Sequence, residues 1–134
     1  MSDAIKQTLI GVLARLKAYT DLTDIVGTRI YTDPPQEATF PFCLIGLGAR
    51  DWSAKDFSGF EMTARIQIFD TDKKPDTVLD GQGALIAALD RQESNITITG
   101  HDLTLCQKGD LINHSKQPDG KVWQSVTDFN LLVN

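Results

Sequence analysis

Residues 27–48 read Gly-Thr-Arg-Ile-Tyr-Thr-Asp-Pro-Pro-Gln-Glu-Ala-Thr-Phe-Pro-Phe-Cys-Leu-Ile-Gly-Leu-Gly, and here the chain stops being helical and enters a sheet. Gly27 can take the positive φ that ends a helix, and Arg29-Ile30-Tyr31 is a short β-prone run. Pro34 and Pro35 remove two backbone donors, so no ladder continues through them. Pro41 biases Phe40 toward extended geometry and launches a strand from Phe42, whose Phe, Cys, Leu and Ile side chains suit burial on at least one face.

On the N-terminal side of this pivot, Ile5, Leu9, Val12, Leu13 and Leu16 recur at intervals of three and four. That spacing predicts one amphipathic helix to Tyr19, with Ser2 as a candidate N-cap and Lys6, Gln7, Arg15 and Lys17 on its wet side. Asp21 is placed to cap a further turn through Leu22 and Ile25.

On the other side, a strand over 42–48 is followed by a polar connection over 49–59 that carries Trp52 and Phe57 among Arg50, Lys55 and other polar residues. Aromatic anchors with polar flanks have the composition of an interface core and its rim, so Trp52, Phe57, Arg50 and Lys55 are the candidate interface residues. Residues 60–70 then alternate, with Met62, Ala64, Ile66 and Ile68 on one face and Thr63, Arg65 and Gln67 on the other, as a half-buried strand requires. The two strands make an antiparallel hairpin.

Asp70-Thr71-Asp72 ends that strand, and Pro75 suits the first turn of a second helix through Arg91, with Val78, Leu85, Ile86, Ala88 and Leu89 on its apolar face. Gly81 and Gly83 weaken such a helix by about 1 kcal/mol each relative to Ala, so both are read as permitting close approach to the sheet. Ile96-Thr97-Ile98 alternates briefly, and Leu103-Thr104-Leu105 opens a strand to about residue 113. Pro118-Asp119-Gly120 is a turn signal before a last strand over 121–133, which places Trp123, Thr127, Phe129, Leu131 and Val133 on one face.

This order predicts one α+β domain over residues 1–134: a mainly antiparallel, mixed sheet with two amphipathic helices packed on one face. With 134 residues, 41% of them hydrophobic and 23% charged, the composition is that of a globular chain with one core. A net charge of -5, with basic residues scattered among acids, gives no electrostatic reason to grip phosphate backbones. No apolar run approaches the roughly 20 residues that span a bilayer, so no membrane partner is expected. Cys43 and Cys106 lack C-x-x-C spacing or a neighbouring His and are read as free thiols, which suits a reducing compartment.

For catalysis, the available groups are Asp70, Asp72, His101 and Asp102. Asp70-Thr71-Asp72 reads as a strand-ending, helix-capping turn ahead of a divalent-metal site, and His101 and His114 read as exposed polar residues beside turns. Gly81-Gln82-Gly83 lies within a helical pattern and does not complete a dinucleotide fingerprint, and no nucleophile elbow, P-loop or zincin motif is present. The expectation is a protein that is not an enzyme and takes no cofactor and no metal.

The pivot, with Leu-Thr-Asp-Ile-Val-Gly before it and Arg-Ile-Tyr, a Pro-containing spacer and Phe-Pro-Phe-Cys-Leu-Ile-Gly within it, resembles the opening half of the phage tail terminator, or tail completion, family. Members serve long-tailed phages and gene transfer agents. Arg-Ile-Gln-Ile-Phe-Asp over 65–70, with the Ala- and Leu-rich helix after it, is similar to the family's middle, and the C-terminal hairpin completes the likeness. Asp72-Lys73-Lys74-Pro75-Asp76, Gly81 and Gly83 depart from it in being less Ala-rich.

The resemblance implies a structural virion protein, assembled in the host cytoplasm, that forms a homo-oligomeric ring, a hexamer, on the head-proximal end of the tail tube. There it stops tube polymerisation and meets the head-tail connector protein, and DNA passes through the lumen without specific binding. Its partners are then itself, the tail tube protein and the connector. Another neck or minor tail component of the same fold is the alternative, and a metal-dependent hydrolytic subunit using Asp70 and Asp72 is the more distant one.

Overall fold

A computed structural model describes residues 2–51, 59–71, 75–118 and 120–134. Helix α1 (Ser2–Ala18) leads into a separate short helix α2 (Thr20–Val26), then strand β1 (Ile30–Tyr31), the hairpin β2 (Phe42–Asp51) and β3 (Phe60–Asp70), helix α3 (Asp76–Leu89), a 3-10 turn (Glu93–Asn95) and the hairpin β4 (Leu103–Lys116) and β5 (Trp123–Val133). Among the described residues the sheet has five strands in the order β1-β2-β3-β5-β4, parallel between β1 and β2 and antiparallel elsewhere. This is the mixed α+β architecture that the alternation predicts.

The pivot works as its residues dictate. Gly27 takes φ 62° as the C-cap of α2, its N–H donating to Thr23 O at 2.8 Å. Asp21 lies inside the first turn of α2, where a carboxylate favours the helix dipole, instead of serving as its cap. Beyond the proline spacer the chain returns beside itself: Cys43 N–H donates to Arg29 O at 2.9 Å, and the Arg29 guanidinium reaches Pro41 O at 2.8 Å. The Phe40–Pro41 peptide is cis.

Helices and sheet face each other through one apolar layer. Met62, Ala64, Ile66 and Ile68 of β3 and Phe129 and Leu131 of β5 meet Leu16, Leu22, Val26, Leu85 and Leu89, all buried. Gly81 of α3 lets the helix settle on β3, since a Cβ there would stand 2.5 Å from Ile68 Cδ1, whereas Gly83 faces open space and plays no such part.

Three local expectations change. The buried stripe of α1 is Ala4, Thr8, Val12 and Leu16, rotated so that Ile5 is 36% exposed, because residues 96–98 cross the helix at Gly11 and demand small side chains there. Those residues are a crossing segment and not a strand: Ile96 and Ile98 bury their side chains without joining the sheet. Arg15 is not on a wet face, since its Nε donates to Ala88 O at 2.9 Å and so neutralises a carbonyl in the last turn of α3.

Helix α3 ends at Leu89, two residues short of the expected Arg91, and its exit is tied to the sheet. Arg91 turns with φ 58° and its N–H donates to Cys106 O at 2.7 Å, while Asp90 Oδ1 accepts from Lys108 N–H at 3.0 Å. Strand β4 runs past the expected residue 113 to Lys116, and β2 past Gly48 to Asp51.

Candidate functional site

Of the expected interface residues, Trp52, Lys55 and Phe57 lie outside the described residues, and Arg50 alone can be placed. It is not in a loop. Arg50 stands on β2 directly opposite Glu61 of β3 and pairs with it on the exposed face of the hairpin, the side chains being 75% and 42% exposed. A shallow hollow of about 330 Å³, walled by Gly48, Ala49, Arg50, Glu61 and Thr63, opens beside the pair. Arg65 and Asp128 form a second cross-strand pair on the same face, bidentate at 2.9 and 3.1 Å. Exposed pairs of this kind contribute little to stability, roughly 0 to 1 kcal/mol each. Their effect is to keep the sheet's outer face polar and neutral.

At the opposite end of β2 the outer face turns aromatic. Phe42 has ring contacts with Tyr31 (6.1 Å between centroids), Phe40 (5.3 Å) and Phe69 (5.1 Å). A hollow of about 340 Å³ lies between these rings and the proline spacer, and Phe40 remains 37% exposed. This patch escapes a sequence reading that treats residues 32–41 only as a break, although the alternation of Phe40 and Phe42 about Pro41 is its visible signal.

The acidic and histidine candidates do other work. Asp70 Oδ1 accepts from Thr71 N–H at 2.8 Å, the strand-ending turn expected of it, while Asp72 lies outside the described residues. His101 is a clasp: Nδ1 is 3.1 Å from Asn134 O and Nε2 3.3 Å from Asp3 Oδ2, joining the start of α1 to the end of the chain. Hydrogen bonding to His101 and Gln7 holds the Asp3 carboxyl below its usual range. Asp102 completes the clasp through backbone bonds with Asn134 in both directions, at 3.3 and 2.9 Å. His114 is exposed on β4 with its ring 6.2 Å from that of Trp123.

Both cysteines are free and buried, and burial pushes each thiol up to about 12, so each stays protonated in the folded chain. Among the described residues no three His, Cys, Asp or Glu side chains converge as a metal site would require, and no helix is long and apolar enough to cross a membrane. The arrangement offers surfaces: a polar face, an aromatic corner and two strand edges.

Against known proteins, the family described as tail completion protein gp17 matches residues 10–134. The chain belongs to that family. Membership places it with the structural components of a virion tail. No curated protein sequence matches the chain. In three dimensions it is similar to a chain in a solved virion of a native gene transfer agent particle, with a TM-score of 0.86 and 19% identity over 97% of each chain. The topology of this family member, helices on one face and a mixed sheet ending in a hairpin, is therefore that of a chain built into an assembled particle.

Proposed function

We propose that the chain is a non-catalytic virion subunit that closes into a hexameric ring at the head-proximal end of the tail tube, ends tube polymerisation and presents the opposite face to the head connector. The observation that carries this reading is the family match over residues 10–134. On the outer face the charged side chains Arg50 with Glu61 and Arg65 with Asp128 are spent on each other, which suits a contact surface. A subunit of net charge -5 lets duplex DNA travel a lumen without adhering to it. Trp52, Phe57 and Lys55, with Arg50 at their root, supply contact to a neighbouring subunit or to the tube.

The test is a lysate of the parent particle with this gene deleted. Tails formed there are expected to run beyond their normal length and to lack heads, and added purified chain is expected to cap them as a ring visible by electron microscopy. Tails of normal length that join heads without the chain overturn the proposal.

A further inference from the structure

Among the described residues the sheet has two stretches of edge, on opposite sides, that no strand covers, and they match each other. On β2, the partner strand β1 covers only Cys43 and Leu44. The N–H of Cys43 points outward to Arg29 O, so by the alternation of an antiparallel strand the backbone groups of Ile45, Leu47 and Ala49 also point outward. On β4, Asp90 and Arg91 cover the edge at Cys106 and Lys108. Past the irregularity in register between Lys108 and Ile112, Gln117 N–H donates inward to Val122 O at 2.7 Å, which turns the backbone groups of Ile112, His114 and Lys116 outward. No described residue bonds to either outward set, and Ile112 is 40% exposed at the second edge.

We infer that these two edges pair with each other between copies of this chain, β4 of one subunit adding antiparallel to β2 of the next. The inference rests on the ring reading above and specifies the joint. Three independent features support a second copy as the occupant. The four long strands alternate in direction across the sheet, so β2 and β4 run opposite ways and a head-to-tail repeat continues the antiparallel order without interruption. Such a repeat also keeps every helix layer on the same side of the extended sheet.

Register is the second feature. Through the ladders Ile112 is level with Thr127, Ile66 and Ile45. The smallest displacement that brings 112–116 fully against the free part of β2 places Ile112 opposite Ala49, His114 opposite Leu47 and Lys116 opposite Ile45, the first residue past the end of β1. That stagger, about four residues, is even, so side chains on the helix face meet side chains on the helix face. Spread over four long strands it is about one residue per strand, the shear with which closed barrels hold their strands at a tilt of about 36°. The displacement the edges require is one that closes a cylinder.

The third feature is the fit of side chains. Asn113 and Ser115 fall opposite Gly48 and Gly46, two exposed glycines with nothing within 4 Å of a Cβ built on either, so the outer face has room for both polar residues. Ile112 falls beside Ala49 on the other face, and an exposed isoleucine on a long free edge is a liability unless paired.

The test uses the full chain carrying Gly48→Cys with Asn113→Cys, a cross-strand position whose Cα separation suits a disulfide. Cys43 and Cys106 are buried and do not compete. Oxidation is expected to yield a ladder of covalent multimers in non-reducing electrophoresis, reversed by reductant and absent from either single variant. In parallel, Ala49→Pro and His114→Pro each delete one outward N–H at an exposed edge position, where proline is tolerated. Each is expected to keep the parent's circular dichroism and melting temperature and to lose at least tenfold in assembly by sedimentation. A double-cysteine chain that sediments as a ring without an interchain disulfide, or proline variants that assemble as the parent does, overturn strand addition and leave the ring standing. A parent that stays monomeric both free and on tails overturns both.

Discussion

At the scale of single residues the chain separates glycines that contact forces from those it merely tolerates. A Cβ at Gly11 would lie 2.3 Å from Thr97 O, a backbone atom of the segment that crosses α1, and neither chain can yield without opening the core around Ile96 and Ile98. Gly83 sits on the exposed side of α3 with no neighbour within 4 Å of such a Cβ. Opposite signs are therefore expected for the same substitution. Gly11→Ala should destabilise by roughly 1 to 3 kcal/mol, the range for overpacking, and Gly83→Ala should stabilise by about 0.5 to 1 kcal/mol, the gain of removing a glycine from a helix interior. Urea denaturation with an unchanged m-value checks both, and equal or reversed effects would show that residues 96–98 do not press on α1 as described.

At the scale of elements, β5 is where the sheet is held together. It lies between β3 and β4, and Phe129, fully buried, stands level with Ala64 on one side and Lys108 on the other. Phe129→Ala should cost about 3 to 5 kcal/mol, measured by thermal melting, and a parent-like melt would contradict the strand order β1-β2-β3-β5-β4. This central position was legible in the sequence because the strand over 121–133 is apolar on its 123 to 133 face and still carries Val122, Val126 and Leu132 on the other. The alternation of Met62, Ala64, Ile66 and Ile68 was legible for the same reason, since period two leaves no other element to choose. Residues 96–98 were not, because two isoleucines separated by one residue bury equally well in a ladder or beneath a helix, and only the tertiary crossing at Gly11 decides between them. The rotated stripe of α1 was hidden by the same crossing: Gly11 is small enough to lie under it, and hydrophobicity alone favours Ile5.

At the scale of the whole molecule, little of the candidate site could be read from residue types, because its parts are backbone edges and a shared face that exist only once the strands are ordered. Arg50 illustrates this: as sequence it belongs to a polar connection, while in the sheet it is spent on Glu61. The aromatic residues of that connection carry the remaining question of what touches a neighbour. In the sequence Trp52 and Phe57 fall between Asp51, the last residue of β2, and Gly59, which precedes β3. Two physical roles compete for them. Large aromatics usually finish a core by folding back over the end of a sheet, yet aromatic anchors with polar flanks are also what an interface centre and rim require. Phe60, Met62 and Val133, all buried, form the core at that end of the sheet, and the polar residues on either side of the two aromatics favour the second role. The double variant Trp52→Ala with Phe57→Ala is accordingly expected to keep the parent's circular dichroism and most of its stability while losing ring formation or the capacity to cap tails. Sedimentation and tail completion read the assembly, and thermal melting reads the fold. An unfolded variant, or one that assembles and completes tails as the parent does, would remove this connection from the set of contacts and leave assembly to the strand edges alone.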